Sequence, residues 1–344
     1  MMSRTWLKNP RIDRQEAARR YFGRMGEAIG HLLRRKAVEA GLLGIGGAGK
    51  ARVLMYHGIG DPGCHKVNIR HIGVDVFERH LQRYRECFHV VPLAAIFDGE
   101  RHPKKLTVAL TFDDGLRNNL THALPLLEKY ATPASFFITG ANPLGLPILW
   151  GDLLDLSAHV GAEDHVHVDG RSWHLEDGQY RSQDELLRNH IKDRGIWAPK
   201  QHLYDQLAHQ LDGEFQPLRM FWELLTDAEI QRMALHPLVT IGSHGWWHNN
   251  MGNIPLADAM DEVRNSTAYL EQLIGRPVNS IAWPDGSYSE QLTQAAEALG
   301  VTQQLAVGYL QSNDAANPRL LDRYGVYDFP IHPRFLLHSI ARGS

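Results

Sequence analysis

Leu106-Thr107-Val108-Ala109-Leu110-Thr111-Phe112-Asp113-Asp114-Gly115 is the stretch whose reading decides this chain. An apolar run carrying Leu106, Val108 and Leu110 ends in two adjacent carboxylates and a glycine. The run predicts a buried strand. Adjacent residues at a strand end point in different directions. One carboxylate can then bind a metal while the other faces the water held there. Far downstream a second apolar run (Leu238, Val239, Ile241) leads into Ser243-His244-Gly245-Trp246-Trp247-His248. One Asp and two His form a common ligand set for catalytic zinc, with a position left open for water. The two segments together predict a metal-dependent hydrolase.

Outward from these segments the chain alternates between strand and helix patterns. Residues 53–57, 88–91, 106–112, 134–139, 238–243, 280–283 and 303–307 read as strands. Residues 75–87, 120–130, 256–274 and 289–299 carry apolar side chains at helical spacing. Strands alternating with helices imply a mostly parallel sheet, and this many units favours a barrel. In such barrels the site gathers at the C-terminal ends of the strands. Asp113, Asp114, His244 and Asp285 all follow an apolar strand, as that rule requires.

Residues 141–235 break the rhythm. The stretch is polar and rich in histidine (His159, His165, His167, His174, His190, His202, His209). A structureless loop of that length inside a compact domain is improbable, so a largely helical insertion beside the barrel mouth is expected. Residues 165–167 alternate as a hairpin strand that could pair with 171–174. The histidines read as scattered surface residues. The organisation is then a basic leader (1–50), a barrel (51–140 and 236–344) and an insertion (141–235).

Composition agrees with a folded globular chain. Of 344 residues, 43% are hydrophobic and 22% charged. The net charge is -3 but uneven: residues 1–50 hold eleven Lys/Arg and four Asp/Glu, which is +7 and leaves -10 for the rest. The acidic body excludes a general nucleic-acid surface. The leader has an amphipathic basic helical pattern, suited to peripheral contact with an anionic membrane through residues 1–45. Two cysteines, Cys64 and Cys87, make neither a disulfide framework nor a zinc site alone. No secretory pattern is visible, and a cytoplasmic location is expected.

Three motifs in order resemble a known family. Thr111-Phe112-Asp113-Asp114-Gly115, Ser243-His244 with His248, and Trp283-Pro284-Asp285-Gly286 look like the first three motifs of the polysaccharide deacetylases (carbohydrate esterase family four, the NodB homology domain). Val53-Leu54-Met55-Tyr56-His57-Gly58-Ile59 resembles an opening strand of a bacterial branch. The resemblance implies an α/β fold, a distorted (β/α)7-type barrel. It implies metal ligation by Asp114, His244 and His248, and Asp113 as the base that activates a metal-bound water. The ion would be one divalent metal, zinc first, with Co2+, Ni2+ or Fe2+ admitted by the same ligand types. The substrate would be an N-acetylated sugar of a surface-polysaccharide or glycolipid precursor. An O-acetyl ester, another amide, and a non-catalytic sugar-binding protein are the competing readings.

The departures pose specific questions. Many members carry an arginine in the third motif that holds the base; here Ala282 and Trp283 precede Pro284. His57 is the first candidate to hold Asp113 instead, and Arg323, also a candidate substrate contact, is the second. Gly245 stands where a hydroxyl residue is frequent, which would widen the floor under the metal. The family's last motif, Leu-x-His, is matched by Leu336-Leu337-His338, with His332 as the competing general acid. Trp150, Trp246, Trp247, Trp283 and Tyr288, with Pro284, Asp285 and Gly286, are the expected sugar contacts.

Overall fold

The computed structural model describes residues 46–161, 163–328 and 333–342. The leader, apart from residues 46–50, and His332 lie outside them. Residues 47–328 belong to one compact unit, and the helix Pro333–Arg342 belongs to a second. Among the described residues no helix is long and apolar enough to cross a membrane.

Among the described residues, fourteen strands follow in chain order. They are β1 (Ala51–Tyr56), β2 (Gly58–Gly60), β3 (His71–Gly73), β4 (Phe88–Val90), β5 (Leu106–Phe112), β6 (Ala134–Ile138), β7 (His165–Val168), β8 (Arg171–Glu176), β9 (Gln179–Ser182), β10 (Glu185–Leu186), β11 (Val239–Ser243), β12 (Ser280–Ala282), β13 (Gln303–Ala306) and β14 (Leu320–Gly325). Strands β1, β5, β6, β11, β12, β13 and β14 are hydrogen-bonded in that order, all parallel, and β14 returns to β1. The result is a closed seven-stranded parallel barrel, with β4 appended to the first half of β5.

The sequence explains the closure. All seven residues of β5 and all five of β6 are buried, as expected of strands covered on both faces. Phe112 stacks on Phe136 at 4.9 Å and on Tyr56 at 5.3 Å. The buried Thr111 hydroxyl donates to the Leu54 carbonyl at 2.9 Å, so that hydroxyl is not orphaned between β5 and β1. The helix Leu256–Ile274 lays Ala259, Val263 and Leu270 inward and ends at Gly275 in the left-handed conformation. Its Ser266 meets Ser243 of β11 at 2.7 Å.

The insertion carries its own core around Trp150, Leu153, Trp173, Leu203 and Phe215. Helices Trp150–Val160, Leu187–Arg194 and Ala198–Leu207 pack with a four-stranded antiparallel sheet of order β10-β9-β8-β7. His165 pairs with His174 across the β7–β8 hairpin. Beyond that hairpin the sequence predicts no strands here, because β9 and β10 are short and polar.

Candidate active site

The strand ends converge as the barrel rule requires. Asp113 and Asp114 leave β5, His244 leaves β11, and Arg323 projects from β14. Asp113 is 2% exposed and anchored at its backbone, where its N–H donates to the Tyr56 carbonyl at 3.0 Å. The Arg323 guanidinium grips its carboxylate with both prongs, Nη1 to Oδ1 at 2.7 Å and Nη2 to Oδ2 at 2.8 Å. Arg323 also donates through Nε to the Ala306 carbonyl at 3.3 Å. Burial alone would raise the Asp113 carboxyl, but Arg323 and His244 hold it below the ordinary carboxylate value.

His57, the first candidate for this role, does not fill it. Its imidazole makes no hydrogen bond among the described residues; its backbone carbonyl accepts from Asn119 Nδ2 at 2.7 Å. It remains near the site. Burial lowers its pKa, while the charges of Asp114 and Asp113 act in the opposite direction. Arg323 holds the aspartate from β14.

Asp114, His244 and His248 bring their ligand atoms within 4.8 Å of one another. Asp114 Oδ1 lies 3.4 Å from His244 Nε2 and 3.5 Å from His248 Nε2. Tetrahedral ligands about 2.05 Å from a zinc ion are themselves ~3.3 Å apart, so the donor set fits such a cation. His244 Nδ1 donates to the Ala282 carbonyl at 2.8 Å, which leaves Nε2 as the lone-pair nitrogen facing the cluster. Burial opposes the charge on Asp114, but His244, His248 and Arg70 hold its pKa well below the ordinary value.

Arg70 was not anticipated. Its Nη1 donates to Asp114 Oδ2 at 3.1 Å, and its Nη2 bonds Asp152 at the start of the insertion. It ties the free oxygen of Asp114 away from the cluster. Nothing in the local sequence marks it, because Arg70 sits in an irregular segment just before the three-residue strand β3. Asp152, 1% exposed, also accepts from Asn68 Nδ2 at 3.1 Å.

The aromatic contacts divide. Trp283 is fully buried in the barrel core, and Trp150 is 3% exposed within the insertion core. Tyr288 is 4% exposed, and its hydroxyl donates to Asp314 at 2.5 Å. These three are core residues, because their faces are already covered by protein. Trp246 and Trp247 are half-buried and line a cleft of about 300 Å³ with Trp197, Asn249 and Asp258. The rings of Trp197 and Trp247 lie 4.6 Å apart, tilted by 39°.

In the third motif, Asp285 adopts φ 53° and its side chain pairs with Lys192 of the insertion. Burial would raise its carboxyl, but His248 and Lys192 lower it. Pro284 and Gly286 shape that turn and are buried. Gly245 does not leave a wider floor. A Cβ there would lie 2.5 Å from the Met251 methyl and 3.2 Å from Glu262 Oε2, and its φ is 77°. His338 is buried on the helix Pro333–Arg342, in the second unit.

A sequence model described as polysaccharide deacetylase matches residues 100–194 and 201–304, more than half of the chain. This chain belongs to the polysaccharide deacetylase family. No curated protein matches it. Among solved structures, it is similar to the Streptococcus pyogenes deacetylase PplD in complex with acetate, at 16% identity and a TM-score of 0.52, over 83% of this chain and 96% of that one. A polysaccharide deacetylase from Bacillus cereus matches at 16% identity and a TM-score of 0.51, over 84% of this chain and 68% of that one. IcaB from Ammonifex degensii matches at 16% identity and a TM-score of 0.50, over 87% of this chain and 100% of that one. At these identities the likeness shows the shared fold.

Proposed function

We propose that this deacetylase-family hydrolase is metal-dependent and removes the N-acetyl group from a sugar in a surface-polysaccharide or glycolipid precursor. The observation that carries the reading is the pairing of an ionised, arginine-held Asp113 with the adjacent Asp114–His244–His248 cluster. A non-catalytic binding protein has no use for a clamped base beside a ligand triad. A divalent cation in that cluster would supply a low-pKa water and polarise the acetyl carbonyl.

The chain's own residues do the rest. Asp113 stays anionic at neutral pH and accepts a proton from the attacking water at a carboxylate oxygen. Arg323 keeps that carboxylate in one plane and one rotamer while it takes the proton. Arg70 and the Ala282 carbonyl fix Asp114 and His244. The departing amine requires a proton, and the Leu-x-His resemblance makes His338 the proposed donor, with His332 as the alternative. We also assign the basic leader to peripheral contact with an anionic surface on the cytoplasmic side.

The experiment is to incubate zinc-loaded protein with N-acetyl and O-acetyl sugars, free and carrier-linked, and follow acetate. Faster release from N-acetyl substrates supports the reading. Release from O-acetyl esters alone would replace it with an esterase.

A further inference from the structure

Lys200 lies on the helix Ala198–Leu207 of the insertion and is 1% exposed. A buried ammonium is expensive unless every proton finds an acceptor. Here the three acceptors all belong to the loop that carries a proposed metal ligand. Nζ reaches the Trp247 carbonyl at 3.3 Å, the His248 carbonyl at 2.8 Å and Asn249 Oδ1 at 2.5 Å. Among the described residues no carboxylate pairs with it; its hydrogen-bond acceptors are two carbonyls and one amide oxygen, and Nζ lies 5.4 Å from the Trp150 ring centroid.

That loop needs an external hold. His248 has φ 51°, in the left-handed region that a non-glycine residue occupies at a cost. Its imidazole Nδ1 is buried and has no hydrogen-bond partner among the described residues. His244 differs, because its own Nδ1 is fixed by Ala282. The placement of His248 therefore comes from its backbone. Glu262 Oε2 grips the loop from the barrel side, accepting from the N–H groups of Trp246 at 3.2 Å and Trp247 at 3.0 Å. Lys200 grips it from the insertion side.

We propose that Lys200 is a positioning residue for the metal centre. By holding the carbonyls of Trp247 and His248 it keeps His248 Nε2 turned toward Asp114 and His244. The insertion is then a structural part of the metal site as well as a wall beside it. This inference rests on the metal-dependent reading above, and it concerns a segment outside the three motifs.

The test measures zinc affinity of the full chain by competition with a chromophoric chelator, for the wild type, Lys200→Met, His248→Ala and the double variant. Lys200→Met is expected to bind zinc roughly 10–100-fold more weakly, the size of effect seen when partners that orient metal ligands are removed. In the His248→Ala background the same change is expected to have little further effect, because Lys200 acts through His248. The visible spectrum of the cobalt-loaded Lys200→Met protein should also change, which a general loss of stability would not produce. Lys200→Gln retains two donors, should fall between the two, and carries the comparison if Lys200→Met does not fold. Wild-type affinity in Lys200→Met, or an equal loss with and without His248, overturns the inference alone. A wild type that binds no zinc overturns the metal reading with it.

Discussion

Replacing Arg323 by methionine tests the support of the base most severely. The change removes two charge-assisted hydrogen bonds, at 2.7 and 2.8 Å, from a carboxylate whose side chain is 3% exposed. Breaking one side of a buried ion pair costs about 3–5 kcal/mol, because the other charge stays buried. The sign with pH follows from the change in Asp113. In the wild type its folded pKa is depressed, so it contributes stability above the unfolded value of ~3.9, which is lost as pH falls through the folded pKa. In Arg323→Met burial is unopposed by the guanidinium and the folded pKa rises. The variant should then become more stable relative to wild type as pH falls from neutral toward ~4, because protonation removes the buried charge. Urea unfolding of metal-free protein at neutral and mildly acidic pH reads this directly. Adding Asp113→Asn to Arg323→Met should restore most of the lost stability at neutral pH, since neither charge of that pair remains. A variant within ~0.5 kcal/mol of wild type would refute the reasoning. So would a double variant no more stable than Arg323→Met.

The other predictions address separate parts of the structure. Burial pushes the Asp152 carboxyl up to about 7, so stability should decline as pH rises from ~4 toward that value; Asp152→Asn should flatten this slope in denaturant titrations, and an unchanged slope assigns it elsewhere. Gly245→Ala should destabilise by roughly 1–3 kcal/mol in urea unfolding, because φ is 77° and the added methyl meets Met251 at 2.5 Å; a neutral effect would show that the loop relaxes freely. His338→Gln should slow amide cleavage more than cleavage of an aryl acetate, whose leaving group needs no proton, and equal losses would remove it as the acid. Deleting residues 1–45 should weaken co-sedimentation with anionic vesicles, and equal binding would dismiss the leader's proposed role.

The barrel was legible because its strands are written as continuous apolar runs ending in polar site residues. Strands β5, β6 and β11 begin and end within a residue of their sequence reading. The last strand was not legible. Leu320-Leu321-Asp322-Arg323-Tyr324-Gly325 mixes charge with apolar residues, and no periodicity separates it from a loop. That is why His57, at the end of an obvious strand, outranked Arg323 as the partner of Asp113. Seating β14 between β13 and β1 is what brings the guanidinium across the barrel mouth. The tryptophans misled for a related reason: a motif fixes where a residue sits in the chain, but only packing decides whether its ring faces ligand or core. Trp283 and Tyr288 are consumed by the core, whereas Trp246 and Trp247 are not. Arg70 and Lys200 act on the site from segments that carry no motif, so only the folded chain reveals them.

The most direct measurement is acetate release from an N-acetyl sugar as metal-free protein is titrated with zinc, with Asp113→Asn run alongside. The account predicts that activity rises to one equivalent of zinc. It predicts that Asp113→Asn also binds one equivalent and releases acetate ~10²–10⁴-fold more slowly. Acetate release without metal, or at the same rate from Asp113→Asn, would contradict it.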